Sequence, residues 1–232
     1  MKSNEPEIYR DYKLDFYEFA STVLFEKLKK IETQSTLKIN IALSGGNTPL
    51  PILEILKNKK LNWERFNFFM VDERIVPLES PLSNFGNIEK VFFQYIISSK
   101  FSMVQTGVSY DKSINDYKDR IVENVPINEN GFPEFDLILL GMGDDGHIAS
   151  LFPGTKALIE DKEIVILNDV PQLDTERITI TYPVILNAKE IIVLVKGNSK
   201  ERIIRELYSG KAPKYPILKV VNLHSNLKWL IG

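Results

Sequence analysis

Three features of the sequence predict an α/β fold built on a mostly parallel sheet. Residues 66–71, 135–140 and 190–195 are short, mostly apolar runs bounded by turn or charged residues; lacking polar alternation, they read as strands buried on both faces, as in parallel sheets. Residues 15–31 carry Phe16, Phe19, Ala20, Val23, Leu24 and Leu28 at three- and four-residue steps, the spacing of a helix that covers a sheet. The runs also break into glycine or charge at their carboxyl ends, and open α/β sheets bind ligands outside those ends.

The remaining elements follow in order. Residues 37–43 read as a strand that the turn Ser44-Gly45-Gly46-Asn47-Thr48-Pro49 ends, and residues 50–57 as a helix with Thr48 as its N-cap and Pro49 in its first turn. After the strand at 66–71 come Asp72, Glu73 and Arg74, which read as a solvated strand end unless they serve a ligand. Residues 83–87 form a turn, and 87–97 a helix with Ile88, Val91, Phe92 and Tyr95 inward. A weak strand at 101–105 and a helix at 114–125 precede the strand at 135–140. Residues 163–167 and 177–182 read as strands, 183–188 as a turn or short helix, 201–208 as a helix and 227–231 as a final strand. No repeat, low-complexity segment or linker is present.

Composition bounds the function. A chain of 232 residues, 44% of them hydrophobic, can fill one large core, and we expect a single domain over residues 1–232. A net charge of −2 gives no reason to expect a nucleic-acid or membrane surface, so any anion site must be local. The absence of cysteine excludes thiolate catalysis and disulfides, and two histidines make a zinc site an unpromising reading. No apolar signal core opens the chain and no run is long enough to span a bilayer; a cytoplasmic protein is expected.

The richest stretch is Gly141-Met142-Gly143-Asp144-Asp145-Gly146-His147. It matches the glycine pattern of a dinucleotide turn, but Pro153-Gly154 interrupts the helix that such a turn needs, and two aspartates would face the phosphates. A histidine, in contrast, can accept a proton near neutral pH, and Asp145 or Asp144 could orient its ring. The alternative is that the aspartates cap the turn and His147 begins a short helix. The turn at Ser44–Pro49 is likewise either a phosphate cradle, with amides at Gly45 and Gly46 aimed at an anion, or a plain tight connection. Lys200 falls in the first turn of a helix, where a cation is unfavourable unless an anion binds; otherwise it is a surface lysine.

Taken together, Ser44-Gly-Gly-Asn-Thr-Pro49, Asp72-Glu-Arg-Ile-Val-Pro77 with Ser83-Asn84, Gly141-Met-Gly-Asp-Asp-Gly-His-Ile-Ala-Ser-Leu-Phe-Pro-Gly154 and Gly197 with Lys200 resemble the 6-phosphogluconolactonase family in order and spacing, over nearly the whole chain. The resemblance implies a single Rossmann-like three-layer α/β/α domain and a carboxylic ester hydrolase that converts 6-phospho-D-glucono-1,5-lactone to 6-phospho-D-gluconate in the oxidative branch of the pentose phosphate pathway. It implies no metal and no organic cofactor, a phosphosugar lactone as the small-molecule partner, and a monomer or homodimer. Asn47 stands where many members carry serine or threonine, and Lys214-Tyr-Pro-Ile217 departs from the family's usual stretch. Related glucosamine-6-phosphate deaminases carry Asn-Glu-Pro after the histidine and Asp-Glu-Tyr in place of Asp72-Glu-Arg74, so both segments favour the lactonase. A non-catalytic sugar-phosphate sensor is the third reading.

On this resemblance His147 is the base that deprotonates water, Asp145 orients it, and Asp72 completes the catalytic set, contacting hydroxyls or steering substrate with Arg74. Ser44, Gly45, Gly46, Asn47 and Thr48 form the substrate loop, whose amides bind either the oxyanion or the phosphate. By analogy with the deaminases, Arg177 and Lys200, placed in strand-end loops, hold the 6-phosphate.

Overall fold

The computed structural model describes residues 6–105, 107–209 and 214–232; residues 1–5, part of the amino-terminal stretch read above as lacking a signal core, lie outside them. The order of elements is β1 (Glu7–Tyr9), α1 (Phe16–Gln34), β2 (Ile39–Leu43), α2 (Pro49–Leu56), β3 (Phe66–Met70), β4 (Asp72–Arg74), α3 (Asn84–Val91), β5 (Ser99–Phe101), α4 (Tyr110–Asn124) and β6 (Leu137–Gly141). Then follow β7 (Val165–Val170), β8 (Thr175–Ile180), α5 (Tyr182–Leu186), β9 (Ile191–Val195), α6 (Asn198–Tyr208), α7 (Ile217–Leu223) and β10 (Leu227–Ile231). No helix among them is long and apolar enough to cross a membrane.

Seven strands pair in the order β1-β10-β9-β6-β2-β3-β5, every pair parallel. Every residue of β2, β3 and β9 is buried, so the apolar runs are explained by helices on both faces. From β2 the chain steps outward to β3 and β5; from β6 it steps the other way to β9 and β10. Right-handed crossovers running in opposite directions place their helices on opposite faces. Accordingly α1, α2 and α3 form one layer and α4 to α7 the other. Asp15 starts α1 as an N-cap, its carboxylate accepting from the amides of Tyr17 at 2.9 Å and Glu18 at 3.3 Å. Inside the sheet, Asn67 donates to Asn40 across β3 and β2 at 3.0 Å, which satisfies a buried amide pair that the apolar core would otherwise penalise.

The reversal of strand order falls between β2 and β6. Their pairing ends at Leu43 opposite Leu139, with Ser44 donating to the Leu139 carbonyl at 2.9 Å, while β6 continues to Gly141 beside β9 alone. The loop after β2 therefore peels away from the loop after β6, and a crevice opens at their carboxyl ends.

Several expectations are corrected. Residues 72–74 are no solvated strand end: they are β4, pairing antiparallel with β8, which pairs with β7 in a second, three-stranded sheet. Asp72 and Glu73 are both buried, tolerated because hydrogen bonds from distant segments meet their carboxylates. Arg177 lies inside β8 rather than in a strand-end loop. The helix expected at 87–97 starts earlier, at Asn84, because the Ser83 hydroxyl caps it by accepting from the Gly86 amide, and it ends at Val91; residues 93–95 form a separate 3-10 turn. The strand expected at 101–105 is Ser99–Phe101, and that expected at 163–167 runs from Val165 to Val170. Thr48 occupies the N-cap position of α2 but its side chain makes no capping bond. Elements β1 and α7 carry no sequence signal strong enough to anticipate them.

Candidate active site

The crevice between β2 and β6 is a cavity of about 530 Å³ lined by the loop after β2, by Asp72 and Arg74 of β4, by Gly141 to Gly143 and His147 after β6, by Arg177 of β8 and by Lys200 of α6. Every sequence-predicted site residue lines it except Asp145, which stands behind His147.

The glycine turn holds the histidine. Gly143 donates to the His147 carbonyl at 2.9 Å and Gly146, at φ +74°, donates back to Gly143 at 3.1 Å, closing the turn. A Cβ at Gly143 would lie 2.2 Å from both Cε1 and Nδ1 of His147, so the imidazole fills the space a side chain would take. The Asp145 carboxylate accepts from the His147 amide at 3.1 Å and meets Nδ1 at 2.6 Å. Since a carboxylate can only accept, Nδ1 carries the hydrogen and Nε2 is left with its lone pair. Burial pushes the Asp145 carboxyl up, but the hydrogen bonds from the His147 ring and amide, with the charge the ring carries when protonated, outweigh burial and hold it below the usual carboxylate range. Asp144 points elsewhere, accepting from the Ser199 hydroxyl at 2.8 Å and so tying the turn to the start of α6. Thus Asp145, not Asp144, orients the ring, and no helix starts at His147.

In the same cavity Arg74 and Arg177 face each other in the β4–β8 register. Like charges directly opposite on a sheet repel. Arg74 spends one nitrogen on the Leu82 carbonyl at 2.7 Å, and the Nε atoms of both arginines are buried with no hydrogen-bond partner among the described residues. Burial, and then the charge of Arg74, pulls the Arg177 guanidinium below its ordinary value, against the opposing pull of Asp72 and Glu73. Two half-buried cations with unused Nε donors suit an anion. Lys200 adds a third charge from the first turn of α6, with no carboxylate partner among the described residues.

The loop after β2 shapes the opposite wall. A Cβ at Gly45 would fall 2.2 Å from the Asn84 side chain, whereas Gly46, at φ +96°, has nothing within 4 Å of its missing Cβ and turns its backbone to open space. The uncapped start of α2 lies directly behind Asn47 and Thr48; Pro49 and Pro51 carry no N–H, so of its first three residues only Leu50 has an amide to offer a ligand.

Sequence reasoning named Asp72 but missed Glu73 and the partners that hold this frame. Glu73 accepts from the amides of Arg74, Asn84 and Phe85 and from the Ser83 hydroxyl, all between 2.7 and 3.1 Å; it locks the start of α3 onto β4, although burial pushes its carboxyl up. Asp72 accepts from the Ser150 hydroxyl at 2.7 Å and from Asn84 at 3.4 Å, and Asn84 also donates to the Asp72 carbonyl at 3.0 Å. Three consecutive charges in a short β-compatible stretch were the available signal.

The sequence model of the glucosamine-6-phosphate isomerases/6-phosphogluconolactonases matches residues 15–229. A 6-phosphogluconolactonase of Chlamydia pneumoniae is 34% identical over 198 residues, 83% of this chain and 74% of that protein. One from Thermotoga maritima is 32% identical over 223 residues, 94% of each chain. The solved structure of 6-phosphogluconolactonase from Trypanosoma brucei superposes with a TM-score of 0.82 at 28% identity, covering 97% of this chain and 95% of that one.

Proposed function

Because the chain belongs to the glucosamine-6-phosphate isomerase/6-phosphogluconolactonase family, we propose that it hydrolyses 6-phospho-D-glucono-1,5-lactone to 6-phospho-D-gluconate by general-base attack of water. The observation that carries this reading is the presence in one cavity of a carboxylate-held imidazole and two buried guanidinium Nε atoms without partners among the described residues.

The chemistry follows from the bonds. His147 Nε2 takes a proton from water as the water oxygen bonds to the lactone carbonyl carbon, and the carbonyl oxygen becomes an oxyanion. Collapse of that intermediate breaks the bond from carbon to the ring oxygen, and the imidazolium returns its proton to the departing oxygen. Asp145 keeps Nδ1 protonated and balances the imidazolium while it exists. A δ-lactone is an activated ester, so no covalent nucleophile is required. Arg177 and Lys200 hold the 6-phosphate, with Arg74 beside Arg177 supplying charge, and the amides of Gly45 and Gly46 serve the oxyanion or the phosphate. Asp72 faces the sugar hydroxyls from a fixed position, since Ser150 and Asn84 restrain it. We take the single domain to act in the cytoplasm as a monomer or homodimer.

The test is direct. Purified protein is added to freshly prepared lactone at about pH 6.5, and separately to glucosamine 6-phosphate. Acid release above the spontaneous rate, without ammonia from the amino sugar, is expected. Ammonia release, or a lactone rate equal to the spontaneous one, would refute the assignment.

A further inference from the structure

One aromatic side chain touches the machinery from behind. Phe152 is 3% exposed, and its ring lies against the imidazole of His147 with centroids 3.9 Å apart and planes 29° from parallel. The Arg177 guanidinium carbon sits 5.7 Å from the same ring centroid, within the range at which a cation is drawn to an aromatic ring. Phe152 therefore contacts both the base and one of the anion-binding cations.

The chain spends effort to place it. Between His147 and Phe152 the backbone doubles back: Leu151 donates to the Ile148 carbonyl at 2.9 Å, and Ala149 takes φ +47°, a left-handed conformation that alanine adopts at a cost. Ser150 fixes the fold-back, donating its amide to Thr179 at 3.2 Å and its hydroxyl to Asp72, while Asn168 donates to its carbonyl at 2.8 Å. An ordinary extended exit from the turn would carry Phe152 away from the ring.

We propose that Phe152 is a positioning residue of the reaction, a flat wall that holds the plane of the His147 imidazole so that Nε2 faces the attacking water. The inference rests on the reading of His147 as the base. A single hydrogen bond from Nδ1 to Asp145 fixes one atom of the ring but leaves it free to swing about that bond. Gly143 bounds the ring at Cε1 and Nδ1, and Phe152 closes its face, so the three contacts together define a plane. Asp145 on the same turn, Arg177 near the Phe152 ring, and Asp72, Arg74 and Lys200 in the lining of the same cavity are the charged groups around the ring.

The experiment compares Phe152→Leu, which fills most of the volume without a flat face, with wild type and with His147→Ala. Small losses of alignment at a reacting group cost one to two orders of magnitude, so Phe152→Leu is expected to lower kcat about tenfold while KM stays within about threefold. With only two histidines in the chain, the His147 C2 proton is readable by NMR. Wild type should show Overhauser contacts from it to a phenylalanine ring and an upfield ring-current shift, both lost in the variant. A folded Phe152→Leu enzyme with wild-type kcat overturns the proposal, and so does a loss carried by KM alone. If the variant does not fold, the wild-type spectrum decides: no Overhauser contact between His147 and an aromatic ring also overturns it. Wild-type turnover by His147→Ala would instead overturn the base assignment itself.

Discussion

Gly143→Ala gives the sharpest test of how the glycine turn serves chemistry. The backbone at Gly143 is not in the left-handed region, so alanine is conformationally acceptable and the fold should survive. Its methyl, however, would stand 2.2 Å from Cε1 and Nδ1 of His147 and 2.8 Å from the Asp145 carboxylate, where ordinary contact begins at 3.4 Å. The ring must therefore withdraw by more than 1 Å, and the 2.6 Å contact between Nδ1 and Asp145 cannot persist in its present geometry. A misplacement of about 1 Å at a reacting group costs on the order of 10²-fold, so kcat should fall roughly a hundredfold. The atoms nearest the new methyl belong to His147 and Asp145 and to neither Arg177 nor Lys200, so KM should stay within about threefold. Because a half-exposed ion pair contributes about 0–1 kcal/mol, and unfolding of a domain of this size shifts by about 2–4 °C per kcal/mol, the melting temperature should drop by no more than about 4 °C. Initial rates of proton release from fresh lactone, measured beside thermal melts, supply both readouts. A stable Gly143→Ala enzyme with wild-type kcat would refute the idea that the imidazole occupies the missing side chain's place.

Other perturbations separate binding from chemistry and from stability. Lys200→Ala should raise KM roughly 30-fold, the equivalent of one charge-assisted contact of about 2 kcal/mol, with kcat within a few-fold; the control is unphosphorylated glucono-1,5-lactone, on which the variant should match wild type. Asp145 ionises more readily in the folded state than in the unfolded chain, so its contribution to stability is present above the ordinary carboxylate value near 4 and is lost as pH falls through the lower folded value. Melts between about pH 6 and pH 2 should accordingly show a smaller acid loss for Asp145→Asn than for wild type, and identical curves would count against the pairing. Glu73→Gln sets an amide donor against backbone N–H groups in a buried site, which should cost about 2 kcal/mol and show as a lower denaturant midpoint.

Much of the site is legible in the sequence because it is built from local signals. The glycines at 45, 46, 143 and 146 mark turns at the ends of the strands read at 37–43 and 135–140, and the unalternating apolar runs mark the sheet as parallel, which puts those ends on one side. His147 stands out as a proton acceptor following such a turn. The sequence order of these loops matches a family pattern closely enough to anticipate the cavity lining that the structure displays.

What the sequence by itself determined, then, was the α/β class, the buried strands of the central sheet and the loops that meet above it, because strand periodicity and turn chemistry are properties of neighbouring residues. Partner choice between distant segments is not. Asp144 and Asp145 are chemically identical, and only the placement of Ser199 beside one and the imidazole beside the other distinguished them. Asp72-Glu-Arg74 looked solvated because within the stretch only the Arg74 amide meets a carboxylate; Ser83, Asn84 and Ser150 supply other bonds from 10 to 78 residues away. The antiparallel sheet that sets Arg74 against Arg177, and the fold-back that lays Phe152 on His147, likewise depend on contacts that exist only once the chain has closed on itself.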